Sequence, residues 1–271
     1  MIVNRGMRKS LMIAAMSVGV AVTALASTEC TLKTLSGTYV FTANGFTLVA
    51  GVPQPKAIVE MINFKGDGSL SAPATTRSVN GVIAKNSGTG RYTVETACTG
   101  TIAFDGGPSF DIFLSPAGGK VWMIQTNSDT VFQGVSESAS QSDPVCSTAT
   151  LQGAYGVQIS GTRPAPSVAP GAPGFVGQLE QVIGLVTEVF DGKGNFTQVD
   201  NVKGTVSGIS PDRPGGGTYT VNPDCSGNLI VVPVPGTQIV QKIVIVDGGK
   251  EYRSITIIPD AVNVSAVGRK M

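Results

Sequence analysis

The sequence predicts an all-β protein of two tandem units, each an antiparallel β-barrel or, alternatively, a β-sandwich. The pattern Tyr-Thr-Val-x3-Cys-x-Gly occurs twice, at Tyr92–Gly100 and Tyr219–Gly227, which indicates an internal repeat. Short runs of alternating apolar and polar residues are separated by Gly-rich turns, as in antiparallel hairpins. No segment after the first 26 residues has a convincing helical period, so we expect very little helix.

The repeat extends over both halves of the chain. Four landmarks recur in the same order with slowly growing offsets of 116, 126, 127 and 130 residues. We therefore predict one duplicated unit with loop insertions, occupying residues 27–143 and 144–271, and we expect Trp122 and Tyr252 to be equivalent. The landmarks are Cys30-x4-Leu-x-Gly-x-Tyr39 with Cys146-x4-Leu-x-Gly-x-Tyr155, Phe64–Gly68 with Phe190–Gly194, Cys98 with Cys225, and Gly118–Lys120 with Gly248–Lys250.

Seven or eight short strands are expected in each unit, a number that fits a closed barrel or a sandwich. Each unit also has a Pro-containing segment after its first strand, at Asn44–Lys56 and Gly161–Gly177, which we interpret as long loops. The clearest strands are Tyr39–Phe41, Ile58–Phe64, Tyr92–Glu95, Cys98–Phe104, Phe110–Leu114, Val121–Thr126, Tyr155–Ile159, Val182–Phe190, Tyr219–Val221, Leu229–Val234, Ile239–Val246 and Tyr252–Ile258.

Residues 1–26 have the pattern of a signal peptide. Arg5, Arg8 and Lys9 form a basic start, Leu11–Leu25 is an apolar run, and Ala24-Leu25-Ala26 is a cleavage pattern of small residues. The apolar run is shorter than the ~20 residues of a membrane span. We expect an exported protein, periplasmic or extracellular, with no membrane span after cleavage.

The composition narrows the classes of function. Removing the three basic leader residues leaves 16 basic and 18 acidic residues, a net charge of −2, which argues against a nucleic-acid partner. The chain has no histidine, so Ser-His-Asp and Cys-His catalysis and histidine-containing zinc sites are excluded. No cofactor and no catalytic residue are predicted.

The four cysteines of an exported chain predict two disulfides. All three pairings respect the repeat. We favour Cys30 with Cys98 and Cys146 with Cys225, because each unit must have folded by itself before duplication. A zinc site is the alternative, but no C-x2-C pair is present, so no metal is predicted.

The entry to each unit resembles a known family of barrels. Leu35–Tyr39 and Leu151–Tyr155 read Leu-x-Gly-x-Tyr, which is similar to the Gly-x-Trp start of lipocalins and avidins, with tyrosine replacing tryptophan. The resemblance implies a calycin-like barrel, and the Pro-rich segments would correspond to the lipocalin loop over the barrel mouth. The Tyr-Thr-Val-x3-Cys-x-Gly segments also resemble repeats in uncharacterised exported bacterial proteins.

Four residues are candidates for a ligand-binding site. Glu60 and Glu188 each lie on a strand face with large apolar side chains, which indicates a lumen site with a raised carboxyl pKa or, alternatively, a partly exposed strand end. Trp122 and Tyr252 are candidates for stacking on a ligand, the alternative being core packing.

We therefore expect a non-catalytic binding protein. It would bind either a small apolar ligand in a barrel mouth or a protein partner through the Pro-rich loops. A structural or surface-interaction protein is the second hypothesis. The third is an enzyme with carboxylate chemistry, such as the cyclase activity of some calycin-like barrels.

Overall fold

The computed structural model describes residues 29–139, 145–165, 179–232 and 238–271. The predicted leader, the predicted boundary at residues 140–144 and most of the second Pro-rich segment lie outside these ranges. Within them, the secondary structure consists of strands and three 3₁₀ turns, Leu32–Thr34, Thr148–Thr150 and Asp247–Gly249. No helix in the described ranges is long and apolar enough to cross a membrane. The all-β prediction is confirmed.

Sixteen antiparallel strands in the described part of the chain form two closed barrels of eight. Barrel 1 comprises β1 (Ser36–Val49), β2 (Val52–Lys65), β3 (Ser69–Val79), β4 (Val82–Val94), β5 (Thr99–Phe104), β6 (Ser109–Leu114), β7 (Lys120–Gln125) and β8 (Thr130–Ser138). Barrel 2 comprises β9 (Gln152–Pro164), β10 (Leu179–Asp191), β11 (Asn195–Gly204), β12 (Gly208–Val221), β13 (Ser226–Val231), β14 (Ile239–Val246), β15 (Glu251–Ile258) and β16 (Asn263–Lys270).

Each barrel is an up-and-down barrel in which consecutive strands pair and the last strand returns to the first. Tyr39 of β1 pairs with Ser138 of β8, and Tyr155 of β9 pairs with Lys270 of β16. Eight-stranded closed barrels of this topology are those of lipocalins and streptavidin. The prediction of tandem calycin-like barrels is confirmed, and the sandwich alternative is wrong.

One end of each barrel is filled by aromatic rings. In barrel 1 the ring of Phe64 lies edge-on between Tyr39 and Tyr92, with centroid distances of 5.2 and 5.1 Å. In barrel 2 Phe190 has the same position between Tyr155 and Tyr219, at 5.2 and 5.0 Å. Because buried aromatic rings contribute strongly to the packing energy of a core, these rings stabilise the closed end of each barrel.

The tyrosines also hold the turn that precedes each first strand. The hydroxyl of Tyr92 donates to the carbonyl oxygens of Leu32 and Leu35, and that of Tyr219 to those of Thr148 and Leu151. The repeated Leu-x-Gly-x-Tyr and Tyr-Thr-Val motifs thus meet at the closed end, which explains why they recur together in the sequence.

The predicted equivalence of Trp122 and Tyr252 is displaced by one residue. The hydroxyls of Tyr39 and Tyr155 donate to the carbonyl oxygens of Gly118 and Gly249, so Gly118 corresponds to Gly249. A Cβ at either glycine would lie 2.3 or 2.2 Å from a carbonyl oxygen of the entry turn, that of Thr34 or Thr150. The first glycine of the motif in barrel 1, Gly118, therefore corresponds to the second glycine of the motif in barrel 2, Gly249. An alignment of the two Gly-Gly-Lys motifs letter by letter shifts the following strands by one residue. Buried Val121 is therefore the equivalent of Tyr252.

Both predicted disulfides are present. Cys30 bonds to Cys98 and Cys146 to Cys225, with Cα–Cα distances of 4.9 and 5.0 Å. In each barrel the bond ties the segment before the first strand to the corner between the fourth and fifth strands. It therefore closes the same end that the aromatic rings fill.

The interpretation of Asn44–Lys56 as a Pro-rich loop is wrong. These residues belong to β1 and β2, which pair from Ser36 with Lys65 to Val49 with Val52 across a two-residue turn. The carbonyl oxygen of Pro55 accepts a hydrogen bond from the N–H of Asn80, so the ring nitrogen of Pro55 faces the β3 side. Pairing with β3 ends at Lys56. Prolines are tolerated here because no strand requires their missing N–H groups.

Candidate functional site

The two barrels touch through the outer faces of β1, β2, β15 and β16. An apolar cluster with members from both barrels lies at this contact, and it includes Val40, Val59, Val244 and Ile255. Polar bonds surround it: Nδ2 of Asn44 donates to Oγ of Ser265 at 2.9 Å, and Oγ of Ser78 donates to Oδ1 of Asn263 at 2.6 Å. The barrels are therefore joined by a packed interface.

Beside this interface a cleft opens between the two barrel walls. Its volume is about 1120 Å³. Ligand sites usually have volumes of roughly 300–1,000 Å³ and occur preferentially between domains. The side chains that characterise it are Asn44, Phe113, Lys120, Trp122, Ile124, Glu137, Leu185, Val199, Arg253 and Arg269.

Ion pairs from both barrels line one part of the cleft. Arg253 of β15 is 2% exposed, and its Nη1 donates to the carbonyl oxygens of Val40 and Val135 at 3.0 and 2.7 Å. Its Nη2 lies 3.1 Å from Oε2 of Glu137, and its Nε lies 2.8 Å from Oε1 of Glu251. One guanidinium of barrel 2 is thus inserted against the wall of barrel 1.

Two further cations complete this cluster. Lys120 lies 2.7 Å from Oε1 of Glu137, and Arg269 lies 3.3 Å from the same oxygen and 2.8 Å from Oε2 of Glu251. Burial raises the pKa of Glu137, but the hydrogen bond from Lys120 and the charges of Arg253, Lys120 and Arg269 together outweigh it, so the pKa is lowered. Three cations against two carboxylates leave one positive charge in excess.

Apolar side chains of both barrels form the walls. Phe113, Trp122 and Ile124 project outward from barrel 1 with 59, 48 and 50% of their surface exposed, and Leu185 and Val199 project from barrel 2 with 67 and 44% exposed. Large apolar side chains grouped in a concavity with a few charged groups are typical of a binding site.

The structure distributes the four sequence-predicted site residues among three places. Glu60 lies inside barrel 1, Glu188 and Tyr252 lie together inside barrel 2, and Trp122 lies on the cleft wall. They do not form one site. The cleft residues that the sequence did not suggest are Glu137, Arg253 and Arg269. The available signal was a charged residue at each of two alternate positions, Glu251 and Arg253, in a strand with no other charged residue.

Both predicted acids are buried with a hydroxyl partner. The hydroxyl of Tyr252 donates to Oε2 of Glu188 at 2.5 Å, and that of Thr75 donates to Oε1 of Glu60 at 2.6 Å. Burial raises the pKa of each carboxyl group to about 7, more than the hydrogen bonds lower it. Burial also raises the pKa of Tyr252 well above its ordinary value, and the charge of Glu188 adds to this effect.

Metal binding has no support in the described residues, where no three Asp, Glu or Cys side chains are grouped as a metal site would require. The fold and the cleft together define the class: a tandem pair of eight-stranded calycin-like barrels with a cleft between them.

No protein-family model and no curated protein matches the chain. Among solved structures, it is similar to isotype 1 transferrin binding protein B from serogroup B Neisseria meningitidis, with 6% identity over 88% of this chain and 76% of that one, and a TM-score of 0.30. It is also similar to a putative AttH from Nitrosomonas europaea, with 9% identity over 95 and 99% of the two chains and a TM-score of 0.29. A protein of unknown function from Nostoc punctiforme has 10% identity over 92 and 100%, with a TM-score of 0.24. All three TM-scores are too low to support an argument about function.

Proposed function

We propose that this is an exported, non-catalytic binding protein that holds a small, largely apolar ligand in the cleft between its barrels. The observation that carries the proposal is the cleft itself, which is lined by apolar side chains from both barrels and by members of an ion-pair cluster. The ligand places its apolar body against Trp122 and Leu185. A polar group of the ligand reaches Lys120 or Arg269, whose side chains are 37 and 61% exposed.

The site proposed here differs from the barrel mouth expected from sequence. Both barrels are packed with apolar side chains at their closed ends, while the outward-facing aromatic and aliphatic side chains collect in the cleft. The proposal keeps Trp122 as a ligand contact and assigns Tyr252 to the core of barrel 2.

Binding of the neutral dye N-phenylnaphthylamine tests the cleft. Trp122 is the only tryptophan of the chain, so energy transfer from it reports a dye bound nearby. We expect Leu185→Asp to weaken dye binding roughly tenfold or more, a loss of about 1.4 kcal/mol, because the carboxylate must be desolvated against the dye.

Ile209→Asp is the matched control. Ile209 is 61% exposed, close to the 67% of Leu185, and it does not line the cleft. The variant should bind the dye as the unmodified protein does. Equal affinities for all three proteins, or dye fluorescence without energy transfer from Trp122, would contradict the proposed site.

Export is part of the proposal. Two disulfides agree with folding in an oxidising compartment. We propose that residues 1–26 are removed and that the mature chain, with units at 27–143 and 144–271, works in the periplasm or outside the cell. The intact mass of the protein recovered from the periplasm or medium should correspond to a chain beginning at Ser27. A chain that stays in the cytoplasm with its first 26 residues would contradict export.

A further inference from the structure

The open half of barrel 1, at the end opposite the aromatic rings, contains two cationic side chains. Lys56 of β2 is 9% exposed, and its Nζ lies 4.2 Å from the centroid of the Phe132 ring inside the barrel. Arg77 of β3 pairs with Ile58, a member of the barrel 1 core, so its side chain is on the inner face of the sheet. Both cations therefore share the barrel interior.

Neither cation has an acidic partner. Nζ of Lys56 donates to the amide oxygen of Gln125 at 2.9 Å. Nε of Arg77 is buried and has no hydrogen-bond partner among the described residues. In the described part of the chain, none of the ion pairs within 4.0 Å includes Lys56 or Arg77. A cationic group that is buried without a carboxylate in contact is unfavourable, so its persistence requires an explanation.

The nearby carboxyl group does not balance these charges. Glu60 accepts its hydrogen bond from Thr75, and burial holds its pKa at about 7, so it is partly neutral at physiological pH. Burial lowers the pKa of Lys56 to about 8, and the charge of Arg77 lowers it as well, while the charges of Asp129 and Glu60 raise it. Lys56 is therefore mostly charged at neutral pH, without a carboxylate in contact with it.

Barrel 2 shows how the same fold neutralises such cations. In its open half Nε of Arg163 lies 2.8 Å from Glu180, and Nε of Arg213 lies 2.7 Å from Asp200. Glu180 also accepts hydrogen bonds from the backbone N–H groups of Val206 and Ser207. Arg163 and Arg213 of barrel 2 thus each contact a carboxylate, whereas Arg77 of barrel 1 has no ion pair in the described part of the chain.

We propose that the open half of barrel 1 binds the carboxylate of a small organic monoanion between Lys56 and Arg77. The planar guanidinium of Arg77 accommodates a carboxylate with two parallel hydrogen bonds, and the ammonium of Lys56 supplies the second charge. The rings of Phe104 and Phe132, which pack on the core of this barrel, face the apolar body of the ligand. This site is separate from the cleft, and neither proposal depends on the other.

Phenylacetate and its neutral isostere phenylacetamide distinguish charge recognition from apolar contact. We expect calorimetric titration of the full-length mature protein to show phenylacetate binding roughly tenfold or more tighter than phenylacetamide. Arg77→Met and Lys56→Met should each remove this preference. Equal binding of both compounds, no binding of phenylacetate at millimolar concentration, or an unchanged preference in Arg77→Met would overturn the proposal.

Stability without ligand provides a second test. Arg77→Met removes a half-buried cation whose buried Nε has no partner, so the variant should unfold at the same or a higher urea concentration than the unmodified protein. The matched variant Arg213→Met leaves Asp200 unpaired and should unfold at a lower urea concentration, with the phenylacetate preference intact. If Arg77→Met is destabilised as much as Arg213→Met, Arg77 has a structural role and the proposal fails.

Discussion

Glu188 and Tyr252 form a hydrogen-bonded pair inside barrel 2 that makes the stability of the fold depend on pH. The pKa of Glu188 is raised from 4.5 to about 7 by burial, so the folded state holds its proton more tightly than the unfolded state. Below about pH 4.5 both states are protonated, and the full stability is present. As the pH rises towards 7, the unfolded state ionises first and the free energy of unfolding falls.

We therefore expect the free energy of unfolding to decrease by roughly 3 kcal/mol between pH 5 and pH 8 on account of Glu188, since each pKa unit corresponds to about 1.4 kcal/mol. Glu188→Gln cannot ionise and should lose this contribution, which urea titrations at both pH values measure. Glu60 in barrel 1 has a pKa raised to the same value, so Glu60→Gln is the comparison variant. A pH dependence identical in Glu188→Gln and the unmodified protein would show that Glu188 ionises freely in the fold.

Some features of the candidate site residues were predictable from the sequence, and others were not. Glu60 and Glu188 were recognisable because an acid interrupts a periodic apolar strand face, and burial with a raised pKa is the physical result. The pairing of Glu188 with Tyr252 was not predictable, because 64 residues separate them and their contact depends on which strands face each other across the barrel.

Among the elements, the disulfides are the strongest local constraint on each closed end. They span sequence separations of 68 and 79 residues. Closing loops of this length stabilises a fold by about 4 kcal/mol in the chain-entropy model. Replacing both Cys146 and Cys225 by alanine should lower the free energy of unfolding by about that amount, as measured by urea titration.

The Cys30→Ala, Cys98→Ala variant serves as the matched comparison and should lose a similar amount. Peptide mapping without reduction should recover only the two within-barrel pairs. A cross-barrel peptide containing Cys30 and Cys146, or double variants as stable as the unmodified protein, would contradict this account.

The strands themselves were predicted unevenly. Those rich in branched and aromatic side chains, such as β10, β14 and β15, were recognised from alternation alone. β3, β8, β11 and β16 were missed, because polar, charged or very small residues weaken the apolar alternation on their inner faces. Each of these strands is stabilised by hydrogen bonds to a neighbouring strand on both sides. This is a tertiary effect, so it cannot be predicted from the local propensity of the strand.

For the whole molecule, Arg253 is a buried residue through which the two barrels are joined. Its guanidinium contacts two carbonyl oxygens of barrel 1 and the carboxylates of Glu137 and Glu251. Removing one partner of a buried ion pair costs roughly 3–5 kcal/mol. In Arg253→Ala we expect the free energy of unfolding to fall by this amount. Unfolding monitored by the fluorescence of Trp122, which lies in barrel 1, should then no longer coincide with unfolding monitored by circular dichroism, which reports on both barrels.

Arg269→Ala is the control, since this side chain is 61% exposed and joins the same ion-pair cluster. Exposed ion pairs contribute about 0–1 kcal/mol, so its two unfolding curves should still coincide. Equal behaviour of the two variants would show that the barrels are held together mainly by the apolar cluster around Val40 and Ile255.

The duplication and the two barrels were predictable, whereas the cleft between them was not. The repeated motifs form the same contacts within each barrel, so the sequence was enough to predict the duplication. The interface breaks the repeat: Trp122 is exposed on the cleft wall, while Arg253, which has the equivalent place in barrel 2, is buried. Such divergence becomes informative only once the relative position of the barrels is known.

The return of the last strand of each barrel to the first has a consequence for biosynthesis. β9 cannot complete its pairing until β16 has been made, and more than a hundred residues lie between Tyr155 and its partner Lys270. During this interval the nascent chain exposes the edges of β9 and β15, and free strand edges invite aggregation. A pairing between strands so far apart in the chain forms slowly, because a long loop must close first. Until the final strand is available, the unpaired edges are therefore the part of each barrel most prone to aggregation.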